Sequence, residues 1–207
     1  MKKTAVLLDL GFVLHKLRRT VGRRRPTAEE VHRFALCCTR SGEEELFRIY
    51  CYHCAPYGEV EIHPFSRQRV DFSATDTFVA MTRLIRALSL KDRVAFRAGE
   101  LSFDGWGVRR SAAAEIIRTG RGLAVDDFAP ELKQKRVDMK IGLDVAWLAS
   151  KGIVDRIVLV TADSDFVPAM KFARREGVQV VLVPMDHVMV KTDLLIHCDE
   201  VRTVVFP

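Results

Sequence analysis

Nowhere does this 207-residue chain offer the roughly 20 consecutive apolar residues that a membrane-spanning helix requires. A secretory leader is not expected either. Met1-Lys2-Lys3-Thr4 opens an apolar stretch that Asp9 interrupts within a few residues, and no small-residue cleavage site follows. Cysteine is sparse, with five residues, and an odd, scattered set fits a reducing cytoplasm better than a disulfide framework. The single Cys-x-x-Cys, Cys51-Tyr52-His53-Cys54, has no second pair at zinc-site spacing, so packed thiols are the simpler expectation. There is no internal repeat and no low-complexity tract, which removes repeat arrays and tail-like segments from consideration.

What remains is an ordinary globular composition, 48% hydrophobic and 29% charged. The length suits one well-cored domain spanning 1–207. A net charge of +6 favours association with a polyanion without dictating a fold. Arginines gather in two places: Arg18, Arg19, Arg23, Arg24 and Arg25, then Arg109, Arg110, Arg118 and Arg121. Each group reads equally as solvated surface or as a polyanion contact.

Strands and helices alternate. Thr4–Leu8 reads as a buried strand, followed by a helix from Gly11 to about Arg19. Thr27-Ala28-Glu29-Glu30 is a capping-box pattern opening a helix to about Thr39. Leu46–Tyr52 is a second strand, Ser73–Leu90 a long amphipathic helix, and Arg93–Ala98 a third strand. Glycines break up residues 99–130, where a small hairpin or an irregular insertion is expected. Val137–Ala149 is apolar almost all round, as a helix buried against a sheet would be. Ile157–Val160, a helix over 166–176, a Gly177 stop, Val178–Val183, a short helix over 191–197 and a strand over 202–206 complete the pattern. Such alternation predicts a three-layer α/β/α sandwich on a mainly parallel, Rossmann-like sheet.

In that fold class ligands bind at the carboxyl ends of the strands, and aspartates collect there. Asp9 ends the first strand, and Asp163 and Asp165 follow Ile157–Val160. Asp138 opens the apolar helix, and Asp144 lies six residues further on. That spacing turns the helix by about 600°, so the two side chains diverge by about 120° and only Asp138 is expected in a shared site. Singly, each acid has a local explanation: Asp165 or Asp138 as a helix cap, Asp9 as a turn residue. Together they would repel unless a proton or a cation were shared, and oxygen-only donors select Mg²⁺ or Mn²⁺. Two aromatic signals stay open. His187 reads as a loop residue or a substrate contact. Trp106 either stacks on a base or caps a hydrophobic cluster.

Three segments carry a family resemblance: Leu8-Asp9-Leu10-Gly11-Phe12; Lys135-Arg136-Val137-Asp138-Met139-Lys140 with Gly142-Leu143-Asp144; and Val160-Thr161-Ala162-Asp163-Ser164-Asp165-Phe166. In order and spacing they resemble the NYN domain family, the LabA-like branch of the PIN-like nuclease superfamily. The resemblance runs from the first strand to at least Pro184. It implies a metal-dependent endoribonuclease in which Asp9, Asp138, Asp163 and Asp165 surround one or two Mg²⁺ or Mn²⁺ ions. Thr161 and Ser164 would then steady carboxylates or metal waters, with Asp144 in support. Lys135, Lys140, Arg109 and Arg110 would meet the backbone of RNA, taken as a single strand. A homo-oligomer is compatible with the chain.

One departure stands out. Many NYN domains have an asparagine in a pattern like Asp-Gly-x-Asn, whereas this stretch is Asp9-Leu10-Gly11-Phe12-Val13. That keeps a second class open: a catalytically weak RNA-binding or regulatory module with the same fold. A third, an aspartyl phosphatase, would want an aspartate at position 11, which is glycine.

Overall fold

The computed structural model describes residues 1–187 and 189–206. The chain divides into two compact units, 1–53 with 83–99 and 136–207, and 54–82 with 100–135. The first unit is built on strand β1 (Lys2–Asp9), and β1 runs parallel to both its neighbours, β2 (Glu44–Cys54) and β7 (Arg156–Val160). Beyond β7 lie β8 (Gln179–Val183) and the two-residue β9 (Glu200–Val201), also parallel. On the other side of β2 comes β5 (Val94–Val108), giving the order β5-β2-β1-β7-β8-β9. Every residue from Thr4 to Leu8 and from Arg156 to Val160 is buried, as central parallel strands covered on both faces must be. The chain is thus an α/β protein with a large, mostly parallel sheet flanked by helices.

Alternate strand residues face opposite ways, and the two faces have different covers. Val6, Leu8, Val158, Val160, Val181 and Val183 pack with Val13 and Leu17 of α1 (Leu10–Thr20) and Val31 and Phe34 of α2 (Ala28–Cys37). The capping box at the start of α2 is present in both halves: the Glu30 N–H donates to Thr27 Oγ1 at 3.2 Å, and the Thr27 N–H donates to Glu30 Oε2 at 2.8 Å. Helices α5 (Val137–Ser150) and α6 (Val167–Arg175) pack together. Ile141, Val145 and Leu148 of α5 are buried, whereas Met139, Leu143 and Trp147 are exposed. The sequence predicted a helix apolar almost all round and buried against the sheet. The helix buries one stripe, and Met139, Leu143 and Trp147 on its i, i+4, i+8 face are exposed.

The second unit holds most of the segment whose fold the sequence left undetermined. A hairpin of β3 (Val60–Ile62) and β4 (Arg69–Asp71) precedes α3 (Asp76–Ser89). The end of β5 pairs antiparallel with β6 (Phe128–Lys135), and α4 (Arg110–Thr119) lies between them in sequence. The third strand was expected to stop at Ala98, but it continues to Val108. Gly105, which looked like a breaker, sits at φ +114° where the ladder shifts register between Phe103 and Trp106. It serves as a bulge inside a strand rather than an end to one. Trp106 packs with Phe103, Phe72 and His63, which decides for the hydrophobic-cluster reading. The strand expected over 202–206 is absent; β9 lies just before it.

Among the described residues no helix is long and apolar enough to cross a membrane. All five cysteines are free thiols, and Cys38, Cys51 and Cys54 are buried.

Candidate functional site

The site begins at the register of β1 against β7. Leu8 lies opposite Val160, so the next residues, Asp9 and Thr161, leave the two strands side by side. Asp9 ends the strand and caps α1, its Oδ1 accepting from the Phe12 N–H at 3.3 Å. Buried Thr161 joins the two loops. Its hydroxyl donates to Asp9 Oδ2 at 3.4 Å and accepts the Asp163 N–H at 3.1 Å. Asp163 Oδ1 accepts the Asp165 N–H at 3.0 Å, capping a short 3-10 turn over Ser164–Phe166 that leads into α6. The sequence had assigned that cap to Asp165; the turn starts two residues earlier, and the cap passes to Asp163. Asp163 and Asp165 are exposed and Asp9 is half-buried.

Asp138 enters from the first turn of α5, which starts directly after Arg136 in the left-handed conformation, φ +70°. The acids act on one another. Burial raises the Asp9 carboxyl above the ordinary 3.8; the Phe12 N–H works against this, and the charges of Asp138 and Asp163 add to it. Asp138 is raised likewise, by burial first and then by Asp163 and Asp165. Asp144 stands apart, on a different side of α5. It accepts from Tyr52 Oη at 2.9 Å and from Arg97 Nε at 3.0 Å, while Arg97 covers the Tyr50 ring at 5.4 Å. Its carboxylate is thereby paired and fastened to the sheet. The structure places Asp9 within electrostatic reach of Asp138 and Asp163, and Asp138 within reach of Asp163 and Asp165, while Asp144 is held by Tyr52 and Arg97.

Oxygen donors that raise one another's protonation suit a hard divalent cation. The donor chemistry fits Mg²⁺ or Mn²⁺, yet among the described residues no three His, Cys, Asp or Glu side chains are drawn up closely enough to hold an ion.

The remaining candidates have other partners. Ser164 Oγ accepts from Lys191 Nζ at 2.7 Å, a cation that no sequence signal singled out. Lys140 donates to the Ala98 carbonyl. In the second unit, Lys135 Nζ donates to Ser102 Oγ at 3.0 Å, and the Arg109 N–H donates to the Asp127 carbonyl at 2.7 Å. Arg110 is the first residue of α4, and Arg121 pairs with Asp127 at 2.7 Å and Glu115 at 3.2 Å.

A stability prediction follows from the direction of the Asp9 shift. Its carboxyl is raised in the fold, so its contribution is fully present below 3.8 and is lost as pH rises through the raised value. Asp9→Asn keeps an acceptor for the Phe12 N–H and removes the charge. In metal-free buffer at neutral pH this variant is expected to melt above the wild type, the gap closing on acidification. Equal melting temperatures at neutral pH would contradict the raised Asp9 carboxyl.

Comparison with known proteins adds two findings. Residues 109–204 match the family model of the NYN domain. The fold resembles the crystal structure of a protein of unknown function from Vibrio parahaemolyticus, at 17% identity and a TM-score of 0.52, covering 99% of this chain and 93% of that one. At that identity the likeness speaks for the fold alone. No curated protein matches the chain. The matched segment contains Asp138, Asp163 and Asp165 and begins well after Asp9. Residues 109–204, a little under half of the chain, are thus similar to the NYN domain.

Proposed function

We propose that this protein is a metal-dependent endoribonuclease that hydrolyses phosphodiester bonds of single-stranded RNA, with Asp9, Asp138, Asp163 and Asp165 holding Mg²⁺ or Mn²⁺. The observation that carries the proposal is that Asp9 and Asp163 leave the adjacent parallel strands β1 and β7 side by side, joined through the Thr161 hydroxyl, with Asp138 near enough for its charge to act on Asp9. The NYN match supports it. When bound, the cation would neutralise charge on the phosphodiester and lower the pKa of the attacking water.

The chain's own part is positioning. Thr161 holds Asp9 and the Asp163 backbone in one frame. Lys191, bridged to Ser164, brings a positive charge beside the acids. Asp144 anchors α5, and so the position of Asp138, through Tyr52 and Arg97. Lys135, Lys140, Arg109 and Arg110 serve as contacts to the RNA backbone, a role that fits the basic net charge. We assign the chain to the LabA-like branch, treat 1–207 as one functional domain, and place it in the cytoplasm, where its free thiols stay reduced.

The separation of the carboxylates favours one alternative, an RNA-binding module with weak or no catalysis. Incubating single-stranded RNA with the protein in Mg²⁺ or Mn²⁺, and in parallel with a chelator, separates the two. Internal cleavage in the first and none in the second is expected. Cleavage that persists in chelator would reject the mechanism, and metal-insensitive binding without turnover would favour the module.

A further inference from the structure

Two aromatic rings meet beside the carboxylates, and the cation chemistry uses neither. Phe12 lies in the first turn of α1, its backbone N–H on Asp9. Its ring meets the imidazole of His187 edge to face, with centroids 6.1 Å apart and planes at 64°. His187 belongs to the turn that leaves β8, its N–H donating to the Pro184 carbonyl at 3.1 Å. That turn carries two consecutive non-glycine residues at positive φ, Met185 at +49° and Asp186 at +53°. Side chains rarely adopt this conformation, and it persists only where the surroundings impose it.

Strands β1, β7 and β8 are neighbours in the sheet, so the ring pair stands on the edge that bears Asp9 and Asp163. His187 is exposed and Phe12 is half-buried. Lys16 adds an ammonium 5.5 Å from the Phe12 ring, so positive charge adjoins the pair, as a backbone phosphate would require. An exposed ring held by a second ring is a platform for a flat, apolar ligand. The bases of an unpaired strand can stack on such a surface, whereas bases inside a duplex are already stacked on each other.

We propose that Phe12 and His187 form the seat for an unpaired base of the strand whose phosphodiester reaches Asp9 and Asp163, which makes the pair a positioning element and single-stranded RNA the substrate class. This rests on the nuclease reading above. The probe is a single-stranded RNA carrying 2-aminopurine, whose fluorescence is quenched by stacking, alongside the same sequence as a duplex. Binding is measured in an Asp163→Asn background so that the strand stays intact. Phe12→Leu and His187→Ala should each abolish the quench and weaken single-strand binding about 5- to 100-fold, with Phe12→Tyr retaining both and duplex binding unmoved. Because His187 is exposed, His187→Ala carries the test even if Phe12→Leu disturbs α1. Full quenching and unchanged affinity in the variants, with the parent protein still cutting RNA, would overturn the platform and leave the nuclease standing. A parent that neither binds nor cuts RNA would bring down both.

Discussion

Glu44→Ala is expected to lower the unfolding free energy by about 3–5 kcal/mol, the range for removing one partner of a buried ion-pair network. Glu44 has no side-chain exposure and is enclosed by two guanidiniums that are themselves nearly buried. Arg202 donates to it at 2.8 and 3.1 Å, Arg156 donates to its Oε1, and the Arg40 N–H reaches it at 2.9 Å. Removing the carboxylate leaves Arg156 with Gln179, and Arg202 with Glu200 and the Cys38 carbonyl, so much of their charge is uncompensated. With typical domain stabilities of about 5–15 kcal/mol, the loss would be a large fraction of the total. Urea titration monitored by circular dichroism measures it, and a change within about 0.5 kcal/mol would show that the network is idle.

The same residue gives the protein an acid limb. Burial alone would raise the Glu44 carboxyl. The Arg202 and Arg156 donors and the Arg40 N–H outweigh it and hold the group at about 2, below its ordinary 4.5. A depressed carboxyl contributes stability that is present above 4.5 and is lost as pH falls towards 2. Glu44→Gln should therefore be less stable at neutral pH and should show a flatter decline across that window.

Asp163→Asn should reduce RNA cleavage about 10²- to 10³-fold, the usual loss when one preorganised electrostatic group is withdrawn from a transition state. The substitution is informative because it spares the fold. Asn caps a turn as well as Asp does, so the Asp165 N–H keeps its acceptor. The side chain is exposed, and no ion pair is lost with it among the described residues. What changes is one negative charge beside a polyanion, so metal-free RNA affinity should hold or rise while turnover falls. A parallel loss of affinity and melting temperature would point to a structural role instead, and undiminished turnover would remove Asp163 from the chemistry.

Much of this was legible in the sequence because it is local. Ile157–Val160 and Ala5–Leu8 are uninterrupted apolar runs, as central parallel strands need. Thr27 and Glu30 stand at capping-box spacing, and the box formed. The aspartates were legible because each follows a strand or opens a helix. Their partners were not. Glu44, Arg156 and Arg202 are far apart in the chain and converge only when β1 aligns β2 and β7, so no local pattern marks them. Lys191 reaches its place through its bond to Ser164, for which no spacing rule exists. The extent of β5 was hidden by Gly105, because a glycine at a bulge and a glycine at a strand end look alike in sequence.

The central claim is that the Thr161–Asp165 turn, with Asp9 and Asp138, is a cation site. Anomalous scattering from crystals soaked in Mn²⁺ tests it most directly. The account predicts a manganese peak bounded by carboxylate oxygens of Asp9, Asp138 and Asp163, the side chains drawn together around it, and no such peak in Asp163→Asn crystals. Manganese absent from that place in wild-type crystals, with the same carboxylates still apart, would contradict it.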